Sequence, residues 1–309
     1  TKYALNLDRA FLKVRSDETL PWLTTTAGRM PNPWFGTDLV WDDDLNFEGL
    51  AFQLESSQAA SSVWRPFATV GAFPLQDIEK SASVKADSKW LYGAQAGVEW
   101  VPSDKTRAKV GLSYFDYQNI RGRANGFNQT IYNKTAPDFR QKGNTLFNID
   151  NDGNLNTNLY ALAADYKVLG LTGMVDLNLF NPVHVIFTGD YATNIGYDRA
   201  QVRTATGSDR DPQTNAYLAR VAVGMPNMVL KGDWQMSLTY RYVEADSVLD
   251  AFTDSDFHLG GTNNKGFIVG AQYGLGKNAS INARWLSSNE INGLPLAINV
   301  FQLTFNARF

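Results

Sequence analysis

The chain has 309 residues, 28 Lys and Arg against 31 Asp and Glu, and no cysteine. Near-neutral charge leaves no electrostatic footprint for nucleic acid, and the missing thiols exclude disulfides, thiol catalysis and thiolate metal sites. No stretch approaches the roughly 18 apolar residues of a membrane-spanning helix, and the sequence opens on a strand-like pattern, so an exported form would already have lost its leader and some true N-terminal sequence.

Period-two alternation predicts strands over 2–15, 22–30, 47–57, 63–72, 90–101, 106–118, 157–179, 183–194, 214–225, 234–246, 265–275, 279–288 and 296–309. In "WLYGAQAGVEW", Trp90, Tyr92, Ala94, Ala96, Val98 and Trp100 share one face, and Gln95 and Glu99 share the other. Later strands repeat the split: Trp234, Met236, Leu238 and Tyr240 oppose Gln235, Ser237, Thr239 and Arg241. The last strand sets Phe301, Leu303, Phe305 and Phe309 against Gln302, Thr304, Asn306 and Arg308. Aromatics flank small apolar residues, the order of a strand with interfacial girdles crossing a bilayer. A soluble β-sandwich also alternates, but its dry face would be rich in Val, Ile and Leu, and strands of about 9–14 residues exceed the usual 5–6.

The gaps alternate in length. Short ones fall at 16–21, 58–62, 102–105, 180–182, 226–233 and 276–278. Longer ones fall at 31–46, 73–89, 119–156, 195–213 and 247–264, with a modest one at 289–295. Short turns at one end and long loops at the other are how bacterial outer-membrane barrels are built. The long segment 157–179 is read as one strand bulged near Gly170. The fold class is thus all-β, a transmembrane antiparallel β-barrel with about 13 strands visible. Bacterial single-chain barrels have even counts, so at least one strand is expected before Thr1.

The run "LDRAFLKV…LTTTAGRMPNPWFGTDLVWDDDLNFEGLA", residues 7–51, resembles the putative porin family of Gram-negative outer membranes. The likeness lies in "DRAFL", "GRMPNPW" and "LVWDDDLNFEGLA"; elsewhere it is barrel rhythm and the terminal Phe309, similar to the assembly signal of outer-membrane proteins. The resemblance implies one domain, 1–309, belonging to a 16-stranded barrel that lacks its first three strands here. It places the protein in the bacterial outer membrane, among lipid and lipopolysaccharide, with a homotrimer as one assembly. With three strands restored, residues 31–46 become the third external loop, which in such porins folds inward and narrows the pore.

Alternation places Arg9, Lys13, Arg15, Arg29, Arg65, Arg107, Lys109, Arg220, Arg241, Arg284 and Arg308 on inward faces. Fewer acids join them: Glu55, Glu99, Asp165, Asp176 and Asp190. The expected wall is net basic, and it faces an acidic loop carrying Asp38, Asp42, Asp43 and Asp44, which sets a field across a water-filled constriction. Any one arginine taken alone is better read as solvated or paired with a neighbouring strand, and the set together as a lumen lining. Trp34, Phe35 and Trp41 either anchor the loop or offer a sugar a stacking surface.

The function expected is passive diffusion of small hydrophilic solutes and ions, with no catalytic residues and no cofactor. A substrate-specific channel for a sugar or carboxylate is the alternative, and a non-conducting anchor a third. A barrel-borne hydrolase would use Asp256 and His258, as an Asp–His pair can activate water. His184 falls mid-strand and reads as a lumen residue. "NIDNDGNLN" sets Asp150 and Asp152 at calcium-loop spacing, but position twelve is Leu159 and no helices flank it. "GLGKNAS" lacks the residues of a phosphate loop and reads as a turn.

Overall fold

A computed structural model describes residues 7–15, 18–55, 62–154 and 156–307. Its strands are β1 (Ala10–Arg15), β2 (Leu23–Pro31), β3 (Asn46–Glu55), β4 (Trp64–Gln76), β5 (Lys89–Ser103), β6 (Thr106–Gln118), β7 (Leu146–Asn148), β8 (Tyr160–Leu162), β9 (Tyr166–Phe180), β10 (Val183–Asn194), β11 (Asn215–Gly224), β12 (Trp234–Val243), β13 (Asn264–Gly276), β14 (Ala279–Glu290) and β15 (Ala297–Ala307). One helix, α1 (Arg199–Thr206), lies between β10 and β11. Asp198 caps it by accepting from Ala200 N and Gln201 N, and Gly207 ends it in the left-handed region.

Thirteen strands form one antiparallel sheet in chain order, β7 and β8 excepted. Each strand pairs with the wall strand before it; short turns enforce this at one end, and across the long loops neighbours in sequence remain neighbours in the sheet. The sheet is not closed among the described residues. β1 and β15 run in the same direction, so they cannot pair antiparallel with each other.

The alternation read from the sequence sets the two faces. Outward residues such as Leu112, Leu171, Met236, Phe301 and Leu303 are exposed apolar groups, as a lipid-facing wall requires. Aromatics cluster at both outward rims. Trp64 and Trp100 lie 5.9 Å apart at the short-turn end. Trp90 stacks on Tyr92, and Tyr217 on Tyr242, at the long-loop end. Inward polar groups such as Gln95, Ser113, Thr172, Asp190 and Thr239 are buried, because the long loops fold back over them.

Two expectations change. Segment 157–179 is not one bulged strand. Residues 160–162 leave the wall and pair with β7 in an external hairpin, and β9 begins at Tyr166. The register of β6 on β9 is unbroken through Gly170, from Tyr117↔Tyr166 to Thr106↔Leu177. The hairpin is held by Asp246, which accepts from Thr145 N at 2.8 Å, Thr145 Oγ1 at 2.6 Å and Tyr166 Oη at 2.9 Å. Burial raises the Asp246 carboxyl above its ordinary range, while these donors pull it back. The other change is Arg29. The inward face of β2 runs Thr24, Thr26 and Met30, so Arg29 faces outward, opposite Glu48 on β3.

Candidate functional site

Residues 32–45 leave β2, cross the concave side of the sheet and return into β3. Asn32 starts the turn, its Oδ1 accepting from Trp34 N at 2.9 Å. The Trp34 ring then packs edge-on against Phe73 and Phe115. Gly93 on β5 makes the space. A Cβ there would lie 2.5 Å from the Trp34 ring. Gln95, two residues on, clasps the loop backbone. Its Oε1 accepts from Phe35 N at 2.8 Å and its Nε2 donates to Phe35 O at 2.6 Å.

The loop then reaches β10. Thr37 N and Oγ1 donate to Asp190 Oδ2 at 3.1 and 2.8 Å, and Thr172 Oγ1 donates to Asp190 Oδ1 at 3.1 Å. The far end meets the β12–β13 loop. Trp41 is buried against Phe47, Phe115 and Phe252. Asp42 N donates to Phe252 O at 2.8 Å, and Asp42 Oδ2 accepts from Ser255 N at 2.9 Å. Trp34 and Trp41 are therefore anchors, with no ring face left for a sugar.

This crossing leaves a cavity of about 340 Å³ between loop and wall. Asp38 and Asp43 line the loop side. Arg220, Gln235, Thr239, Gln272, Asn282 and Arg284 line the wall side. Asp43 is exposed to the cavity yet ringed by protein. Its carboxyl is raised to about 6, first by loss of water and then by the charges of Asp38 and Asp254, with Arg284 partly opposing. Asp44 is raised too, chiefly by the charge of Asp42.

The proposed arginine wall divides. Arg220 and Arg284 face the cavity, and Arg220 makes no ion pair among the described residues. Arg284 lies 3.9 Å from Asp254 and 3.7 Å from Asp256. Arg241 points inward but is fully buried. It pairs with Asp254 at 3.2 Å and Asp38 at 3.9 Å and lies over the Phe257 ring, so it pins loops rather than lining water. Removing one partner of such a buried pair strands the other charge, at a cost of about 3–5 kcal/mol. Arg241→Met is therefore expected to release the β12–β13 loop, read as new protease cleavage within 244–263 in a protein whose strand wall still resists heat in detergent.

The remaining arginines sit towards the ends. Arg65 and Arg107 flank Glu99 at the short-turn end, Arg65 at 3.8 Å and Arg107 in direct contact. Arg15 donates to Pro21 O at 3.1 Å, and Arg9 to Asn46 Oδ1 at 2.7 Å. Lys109 lies over the Phe35 and Phe67 rings at 4.4 and 4.3 Å, which fastens the loop to β4. Arg308 and Phe309 lie outside the described residues.

Among the described residues, the side chains of the hydrolase and calcium readings are taken up elsewhere. His258 is buried, and its Nδ1 lies 2.9 Å from Ser288 Oγ, while Asp256 turns to Arg284. Burial lowers the His258 pKa from its ordinary value. His184 Nδ1 is 2.6 Å from Asp176 Oδ1 on the neighbouring strand. Asp152 is taken up by Asn154 N and Thr157 Oγ1, and Asp150 N donates to Asn148 Oδ1. Among the described residues no three acidic or histidine groups converge on a metal position.

Sequence reasoning missed the second acidic loop, with Asp254 and Asp256, as a partner of the first. It also missed the clasp of Gln95, Thr37 and Asp190. The polar Gln95 among small residues, with glycine at 93, was the available signal.

The family described as Putative porin matches residues 1–309. Among solved structures, LpxR from Salmonella typhimurium is 11% identical over 84% of this chain and 88% of its own, with a TM-score of 0.31. The copper transporter OprC is 14% identical over 92% of this chain, with a TM-score of 0.40. The chain spans 43% of OprC. No curated protein sequence matches.

Proposed function

The chain belongs to the putative porin family and is an outer-membrane β protein, and from that premise we propose that it forms a water-filled channel for passive diffusion of small hydrophilic solutes and ions. The observation that carries this reading is the inserted loop, which faces Arg220 and Arg284 across a polar cavity. Such a constriction selects by size and field and needs no cofactor. The protein is read as a non-enzyme, with outer-membrane lipid and lipopolysaccharide against its outward faces. Antiparallel closure of the wall calls for an even strand count, because β1 and β15 run the same way, and the sixteen of the family resemblance meets it.

Charge preference follows from the constriction rather than the whole wall. Asp38 and Asp43 balance Arg220 and Arg284 on the cavity lining, and Asp42, Asp44, Asp254 and Asp256 lie behind them, so a modest cation preference is expected at neutral pH. Planar-bilayer recording of the full-length protein tests the reading. Ohmic single-channel steps, with uptake of small sugars into vesicles falling as solute size rises, are expected. Tight seals without steps, or uptake of one solute alone, would contradict passive diffusion.

A further inference from the structure

One cavity stands apart from the constriction. It has a volume of about 190 Å³ and lies where the long-loop ends of β4 and β5 meet loops 119–145 and 244–263. Leu75, Ile120, Phe139, Leu249 and Phe252 make most of its surface, an apolar hollow beside a polar vestibule. Drug-sized ligands occupy about 300–1,000 Å³, so an occupant here is small.

Lys89 lines this hollow. It is 6% exposed, on the inward face of β5, and its Nζ donates to Ala136 O at 2.8 Å. An ammonium has three donors. This one makes a single hydrogen bond and no ion pair among the described residues, a shortage that costs free energy in a dry setting. Two acids also line the cavity, and the charge of Asp138 acts on Lys89 from beyond ion-pair distance. Asp138 accepts from Gln76 Nε2. Burial raises the Asp250 carboxyl to about 6, with the charge of Arg140 partly opposing.

We propose that this cavity binds a small monocarboxylate with an apolar body, its carboxylate on Lys89 Nζ and its body among Ile120, Phe139 and Phe252. The carboxylate supplies the acceptors Lys89 lacks, and the body replaces water on apolar walls. The occupant also touches the constriction. Phe252 stacks on Tyr117, packs against Trp41 and accepts from Asp42 N. A bound acid thus braces the element that holds the inserted loop.

Calorimetric titration of the folded protein in detergent with benzoate, benzyl alcohol and benzylamine tests the site without using current, so its failure is separable from failure of the channel reading. Saturable benzoate binding is expected, with benzyl alcohol and benzylamine weaker. Lys89→Gln should weaken benzoate about tenfold or more, the loss of a charge-assisted hydrogen bond. Phe139→Ser, at the exposed lip, should weaken benzoate and benzyl alcohol alike while leaving the buried lysine in place. Equal affinity for benzoate and benzyl alcohol would overturn the proposal. So would preference for benzylamine, or wild-type benzoate binding by both variants.

Discussion

Replacing Trp34 and Trp41 by alanine is expected to free the inserted loop and raise single-channel conductance severalfold. Each ring is buried, against Phe73 and Phe115 for one and Phe47, Phe115 and Phe252 for the other. Removing a buried tryptophan costs about 3–5 kcal/mol, and here the loss falls on loop docking rather than on the strand ladder. The remaining bonds from Gln95 and Asp190 to the loop are each worth about 1–3 kcal/mol, so both rings are removed together to shift the docking equilibrium. Gly93→Leu approaches the same end from the wall. Its side chain fills the Trp34 slot and leaves the loop sequence intact. If both variants fold and conduct as the parent does, the loop does not narrow the path.

Charge should follow the loop as well. Asp38→Asn with Asp43→Asn is expected to shift the reversal potential in a salt gradient toward anions, leaving Arg220 and Arg284 without the two loop carboxylates that line the cavity. The triple change at Asp42, Asp43 and Asp44 is the less selective experiment. Asp42 holds Ser255 N, and Asp44 faces Asp42 and Asp256.

Acid should do part of the same work in the unaltered protein. The Asp43 carboxyl is raised to about 6 in the docked loop, from an ordinary 3.8. The docked form therefore favours the proton. Its penalty is absent below about 3.8, grows as pH rises, and is complete above about 6. Lowering pH from 7.5 to 5 thus removes one negative charge from the cavity and tightens docking together. Cation preference should fall without a rise in conductance. A rise in conductance at pH 5 would mean that the loop leaves on protonation.

Strand order and the two faces were legible because a bilayer wall imposes period two on every strand, and short turns force neighbours to pair. The rule fails where a strand leaves the wall. Residues 160–162 alternate like the strand they precede, yet they pair with β7, and nothing in local pattern separates the two. Arg29 shows a different limit. A basic residue near polar neighbours invites an inward reading, but Thr24, Thr26 and Met30 fix the parity.

The loop was readable as inserted only through likeness to other porins. Its clasp depends on Gln95 and Asp190, 60 and 153 residues away from the loop positions they bind. Arg241 resembles Arg220 in sequence setting and differs in outcome, because the β12–β13 loop covers one and not the other.

Residues 32–45 are expected to line the conducting path. The chain has no cysteine, so Asp43→Cys introduces a single thiol. Recording that variant while adding a trimethylammonium methanethiosulfonate reagent should reduce current through open channels and weaken cation preference further. Unchanged current and unchanged selectivity, with modification confirmed by mass, would place the loop outside the path and contradict the channel reading.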